Sequence, residues 1–170
     1  MCVQLLMAGH ETTMCLIGNG LLALLRNPDQ ILMLRSDPAL IVTAVEEFLR
    51  YDSPVQHQTR VANQDFNLDG KRIRKGQRVL LMLGAANRDP ALFDDPDRLD
   101  ISRQPNRHVG FGYGAHFCIG GPLARLEGQI AINTILRKMA GLQLASGPVT
   151  WMRNMSLRNP TSLPVHFEAA

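Results

Sequence analysis

Residues 111–127 read FGYGAHFCIGGPLARLE, with the lone thiol of Cys118 between a glycine-rich turn and the start of a helix. Gly110, Gly112 and Gly114 allow tight turns and a close approach of backbone to a flat object. Helix amides just after the cysteine favour its thiolate form. Such a thiolate could be a nucleophile, a redox centre or a metal ligand. Six residues separate Cys118 from Arg125, one too many for a phosphatase loop. A phosphate cradle would continue with Lys and then Ser or Thr, which are missing here. A zinc site needs several more Cys or His ligands than His116 supplies. Taken alone, Cys118 is as readily an inert buried thiol.

Two further stretches carry polar chemistry on apolar helices. In MAGHETT, residues 7–13, Gly9 weakens the helix and Glu11 brings a carboxylate to an apolar element. Thr12 can bond back to a carbonyl and open the local ladder, widening a groove for water and a small ligand. In EEFLR, Glu47 and Arg50 lie three apart and share a helix face. The flanking Phe48 and Leu49 imply burial on more than one face. A buried pair needs further partners, and Arg98 in PDRLD is the candidate third member.

The elements that hold these residues read as mainly α with small β-sheets. Residues 2–26 form one long, mostly buried helix that stops at Asn27-Pro28. Asn27 caps the next helix, with Pro28 in its first turn and Gln30 completing a capping box. Asp37-Pro38 opens a third helix running to about Tyr51, ended by Ser53-Pro54. Residues 55–83 predict two or three antiparallel strands with turns at Asp69-Gly70 and Lys75-Gly76. Residues 86–114 are irregular, with one short helix near Pro90, and irregular stretches of that length are usually functional. IGGPLARLEGQIAINTILRKMAG is an amphipathic helix ending at Gly141, and the tail carries short strands.

Composition narrows the class. The 170 residues are 45% hydrophobic and 19% charged, ordinary for a globular chain. A net charge of +3 is too weak to argue for nucleic acid, and GKRIRKGQR suits a solvated hairpin edge. Three widely spaced cysteines do not make a disulfide scaffold and fit a reducing cytoplasm. The polar run His10-Glu11-Thr12-Thr13 and Asn19 argue against a membrane span. The first helix begins without a cap, as expected of a C-terminal piece of a longer protein.

Order and combination go further than any single motif. A helix with A-G-x-E-T precedes one with E-x-x-R, then hairpin strands, a meander with P-x-R, and F-G-x-G-x-H-x-C-x-G-x-x-x-A-R. This succession resembles the C-terminal portion of the cytochrome P450 fold, in soluble bacterial form, across essentially the whole chain. The cysteine motif is matched at Phe111, Gly112, Gly114, His116, Cys118, Gly120, Ala124 and Arg125. Two mild departures are Leu99, where the family often has Phe, and Asn159-Pro160, where it often has Gly-Leu.

The resemblance implies a cofactor, haem b (iron protoporphyrin IX), with Cys118 as its metal ligand. Cofactor contacts would come from Arg60, Phe111, Gly112, Gly114, His116, Gly120 and Ala124, with Arg60 and His116 on the propionates. Glu11 and Thr12 would be the catalytic acid–alcohol pair for proton delivery, and Cys15 would be structural. Glu47, Arg50 and Arg98 would form a structural triad. The substrate pocket would use Ala8, Gly9, Val55, Gln56, His57 and Pro160. The implied activity is monooxygenation of a small organic substrate, with electrons from a ferredoxin or flavin reductase. Arg103, Arg107, His108 and Arg125 would steer that partner. Residues 1–170 would be the C-terminal part of a single domain, unstable by itself. The alternative is a truncated, inactive haem-binding fragment.

Overall fold

The computed structural model describes residues 2–169. Helix α1 spans Cys2–Arg26. Its two halves differ. From Thr13 onward Cys15, Leu16, Asn19, Leu22 and Leu24 are buried, whereas Val3, Leu6 and Met7 stand 72%, 71% and 60% exposed. The expectation of a mostly buried helix therefore holds only for the second half. Helices α2 (Pro28–Ser36) and α3 (Ile41–Tyr51) follow, the latter entered through a 3-10 turn at Pro38–Leu40. Asp37 caps that turn by accepting the Ala39 N–H at 3.1 Å.

The capping box on α2 is absent. Asn27 Nδ2 donates back to the Ala23 carbonyl, and Gln30 is buried with its Oε1 accepting the Ile101 N–H at 3.0 Å. Gln30 thus satisfies a buried backbone donor of the distant meander.

Four strands occupy the next region, more than the two or three expected. Strands β1 (Gln58–Val61) and β4 (Arg78–Leu81) pair antiparallel, with Arg60 opposite Val79. Strands β2 (Phe66–Leu68) and β3 (Lys71–Ile73) form the hairpin whose turn residues Asp69 and Gly70 both take positive φ. The basic cluster lies on this exposed hairpin and its exit. The short helix of the irregular stretch is α4, Leu83–Ala86, before the meander and not at Pro90. Helix α5 covers Gly121–Lys138 and gives way directly to strand β5 (Met139–Leu144), which pairs antiparallel with β6 (Val165–Ala169). Gly141 is therefore not the helix stop. It takes a φ of 59° at the register shift in β5, where the chain bulges.

The core lies where α1, α3 and α5 cross, built from Leu16, Leu24, Val45, Phe48, Leu49 and Ile132. Gly20 makes the α1–α3 crossing possible, because a Cβ there would sit 2.7 Å from the Phe48 ring. Asn19 Nδ2 donates to the carbonyls of Asp52 and Arg158, pinning the C-terminal segment to the same crossing. Among the described residues no helix is long and apolar enough to cross a membrane.

Candidate functional site

Helix α3 carries a buried ion pair into the core. Arg50 Nε and Nη2 donate to Glu47 Oε2 and Oε1 at 2.7 and 2.9 Å, and both side chains are fully buried. Charges this deep need their remaining donors and acceptors filled. Arg50 also donates to the carbonyls of Asn87, Pro96 and Arg98. Glu47 also accepts the Asp100 N–H and the Asn106 amide.

The third cation is Arg103, not Arg98. Arg103 Nε lies 3.3 Å from Glu47, and its side chain is only 11% exposed. Leu99 and Ile101 are buried, so the alternating chain sends Arg98 outward and leaves only its carbonyl in the network. A turn closed by Arg103 N–H onto the Asp100 carbonyl then brings Arg103 back. The motif P-x-R gave a candidate of the right type five residues too early.

The cysteine loop is closed on itself. Cys118 N–H donates to the Phe111 carbonyl at 2.9 Å, and Gly112 N–H to the Val109 carbonyl at 2.8 Å. Gly112 and Gly114 take φ of 74° and 69°, values that a side chain would strain. The Gly121 N–H bonds the Cys118 carbonyl at 3.1 Å, so the thiol sits at the positive end of α5. Cys118 is exposed, whereas Cys15 is buried. Burial pushes the Cys15 thiol pKa up, with the Glu11 charge adding to it, as suits a structural residue.

A cleft of about 390 Å³ opens over this loop, a size ordinary for a small-molecule site. One wall is the loop and the start of α5: Phe111, Gly112, His116, Cys118, Gly120 and Ala124. The facing wall is α1, through Ala8, Gly9, Thr12 and Thr13. Val55 and Arg60 enter from the segment after α3 and from β1. Several expected members are elsewhere. Gly114 shapes the loop without lining the cleft. Gln56 donates to the Ser53 carbonyl, and His57 Nε2 faces Ser156 Oγ at 3.4 Å. Pro160 is buried, pressed near Gly18 of α1. These three, expected in the pocket, do not line the cleft.

Thr12 Oγ1 donates to the Ala8 carbonyl at 2.6 Å, the back-bond expected, yet α1 remains a continuous helix. Glu11 is exposed and outside the cleft, so the acid and the alcohol of the expected pair do not meet there. Glu127 lines the cleft instead, from the face of α5 that carries Leu123 and Ala124. Its spacing of three and four from those residues was the available signal.

Behind the loop lies a second charge cluster that the sequence did not announce. Arg125 Nε and Nη2 donate to Glu46 Oε1 and Oε2 at 2.6 and 3.0 Å, and His108 Nε2 lies 3.0 Å from Oε2. Burial alone would raise the Glu46 carboxyl. Hydrogen bonds from His108 and Arg125, with the Arg125 charge, outweigh it and bring the pKa down to about 2. The expected basic patch is thereby largely consumed: Arg103 serves Glu47, and His108 and Arg125 serve Glu46. Asn87 is fully buried as well, joining Leu49, Ser53 and the Val109 N–H.

The family model for cytochrome P450 matches residues 37–144. The chain belongs to the cytochrome P450 family. It is 53% identical over 167 residues to the biotin biosynthesis cytochrome P450 of Bacillus subtilis strain 168, covering 98% of this chain and 42% of that protein. The vitamin D(3) 25-hydroxylase of Pseudonocardia autotrophica is 48% identical over 168 residues, covering 97% and 42%. The crystal structure of P450BioI in complex with hexadec-9Z-enoic acid ligated acyl carrier protein superposes with a TM-score of 0.96 at 52% identity, covering 99% of this chain and 44% of that one. The chain spans about 40% of the length of these curated P450 relatives.

P450 proteins hold haem iron by a cysteine thiolate. The residues of the cleft fit such a group. Among the described residues no cluster of three His, Cys, Asp or Glu could hold a metal ion. A macrocycle brings most of a metal's ligands with it, so a lone thiolate such as Cys118 is enough to complete its site. The loop and α1 offer mostly apolar or small walls, and the Arg60 guanidinium and the His116 ring N–H suit carboxylates.

Proposed function

We propose that residues 1–170 are the C-terminal part of a single haem-thiolate monooxygenase domain, running from the distal helix to the C-terminus. The observation that carries the reading is an exposed thiol on one wall of an apolar cleft, with a thin, threonine-bearing helix on the other. The group held there is haem b, which supplies dioxygen activation when bound. Cys118 is its protein ligand, and helix α5 directs amide dipoles at the sulfur. Phe111 would pack beside the ligand loop and shield the thiolate, and Gly112, Gly114, Gly120 and Ala124 would keep that side of the site to backbone and small side chains. Arg60 and His116 meet its carboxylates.

Ala8 and Gly9 leave room for substrate beside α1, and Val55 borders it. Thr12 holds a hydroxyl at the cleft wall where a proton must be passed. Glu11, on the solvent side of the same helix, is the entry for that proton. Electrons come from a ferredoxin or flavin reductase, and the reaction takes place in the cytoplasm. A long acyl chain is the favoured substrate class, on one observation. The P450BioI structure, 52% identical to this chain, is a complex with an acyl carrier protein ligated to hexadec-9Z-enoic acid.

The test is the reduced, carbon monoxide spectrum of the haem-loaded protein. Thiolate ligation gives a strongly red-shifted Soret band that vanishes in Cys118→Ala. An unshifted band, or one indifferent to that substitution, overturns the assignment.

A further inference from the structure

The cluster behind the cysteine loop has no part in the reading above. Glu46 and Glu47 are neighbours on α3 with separate tasks. Glu47 faces the meander through Arg50 and Arg103, and Glu46 faces the loop through His108 and Arg125. From Glu46 two arms reach the loop. The first runs through His108, whose Nδ1 accepts the Gly110 N–H at 3.1 Å. That bond leaves Nε2 to carry the proton given to Glu46, which fixes the tautomer. A Cβ on Gly110 would lie 3.0 Å from the Leu49 carbonyl, so this arm is also pressed against α3. The second runs through Arg125, whose guanidinium lies 4.6 Å from the centre of the Phe111 ring. The Phe111 carbonyl in turn accepts the Cys118 N–H. Both arms end on the backbone that carries the sulfur.

The charges matter as much as the bonds. Arg125 is a cation at the base of the loop, and Glu46 is the anion bonded to it, with its side chain only 24% exposed. Charges screened this little act over longer distances than surface charges do. We propose that Glu46 is a positioning residue that holds the cysteine loop through His108 and Arg125 and, by balancing the Arg125 charge, sets how readily a metal on Cys118 is reduced. The inference rests on the haem-thiolate reading of Cys118.

Signs distinguish this role from that of a strut. Reduction adds negative charge at the metal. Removing the Glu46 anion favours it, and removing the Arg125 cation opposes it. The experiment measures the haem midpoint potential in the haem-loaded protein for wild type, Glu46→Gln, Arg125→Gln and the double variant. The expected result is a positive shift for E46Q, a negative shift for R125Q and a value near wild type for the double. A strut alone would move both single variants the same way, or cost both their haem, with no recovery in the double. Either of those results, or an unchanged potential in E46Q, overturns the proposal while the red-shifted Soret band of wild type stands. If wild type itself lacks that band, the thiolate reading falls and this proposal with it.

Discussion

From Thr13 to Leu24, α1 is packed against α3 and α5, while Val3, Leu6 and Met7 of its first half meet solvent. The two regions meet at the cleft, with Thr12 on one side and Cys118 on the other. In the closed region every ionised side chain that is fully buried is paired and hydrogen-bonded. In the open region large apolar side chains face water, including Leu123, Leu126 and Ile130 on α5. Exposed apolar patches of this kind ask for a covering surface. The cysteine loop is thus backed by a packed, charge-satisfied core, whereas the α1 wall of the cleft carries an uncovered apolar face.

The largest way to break this contrast is to unpair the closed region's charges. Arg50→Met leaves Glu47 buried with only the partly exposed Arg103 as counter-charge, and takes the Arg50 donor from the Asn87 and Pro96 carbonyls. The expected cost is about 3–5 kcal/mol by chemical denaturation. Arg98→Met, which removes no side-chain contact of the network, should cost less than about 0.5 kcal/mol. Equal costs would restore Arg98 as the third member of the cluster.

A second comparison lies within α1. Leu24 is fully buried, and Leu24→Ala should cost about 2–5 kcal/mol. Leu6 is 71% exposed, and Leu6→Ala should cost under about 0.5 kcal/mol in the 170-residue chain. The same Leu6 substitution should become markedly costlier in a longer protein whose added segments cover α1. A large cost in the short chain would mean that α1 already finds a partner there, for instance in a second copy.

How far the sequence carried differs between the same two regions. The cysteine loop was legible because its chemistry is local: Gly112, Gly114 and Cys118 act within a few residues of one another, and the backbone bonds they form are short-range. Helix α3 was legible for the same reason, through Glu47 and Arg50 on one face. Long-range pairing was not. Gln30 looked like a capping residue because its reach to Ile101 spans 71 positions. Arg103 was misplaced onto Arg98 because the turn after Asp100 decides which side chain returns. Glu46 was overshadowed by its neighbour, since nothing nearby in sequence announces His108 or Arg125 as partners. Of the residues expected at the pocket, Ala8, Gly9 and Val55 line the cleft, while Gln56, His57 and Pro160 lie outside it, near Ser53, Ser156 and α1.

The finest probe of the closed region is acid. The Glu46 carboxyl lies at about 2 in the folded protein, against an ordinary value of 4.5. A carboxyl lowered by folding binds its proton less readily in the folded state. Its contribution is therefore complete above pH 4.5 and is lost as pH falls toward 2. With allowance for the partial exposure of the group, that contribution is about 2 kcal/mol. Glu46→Gln removes it. The stability gap between wild type and E46Q should be full at neutral pH and narrow steadily through the acid window, read by denaturation at a series of pH values. Cleft-side variants such as Thr12→Val should show no such narrowing, because the Thr12 hydroxyl does not titrate and its bond is to a backbone carbonyl. A gap independent of pH would mean that Glu46 contributes shape alone. The loop would then owe its position to the Phe111 and Gly110 backbone bonds rather than to charge.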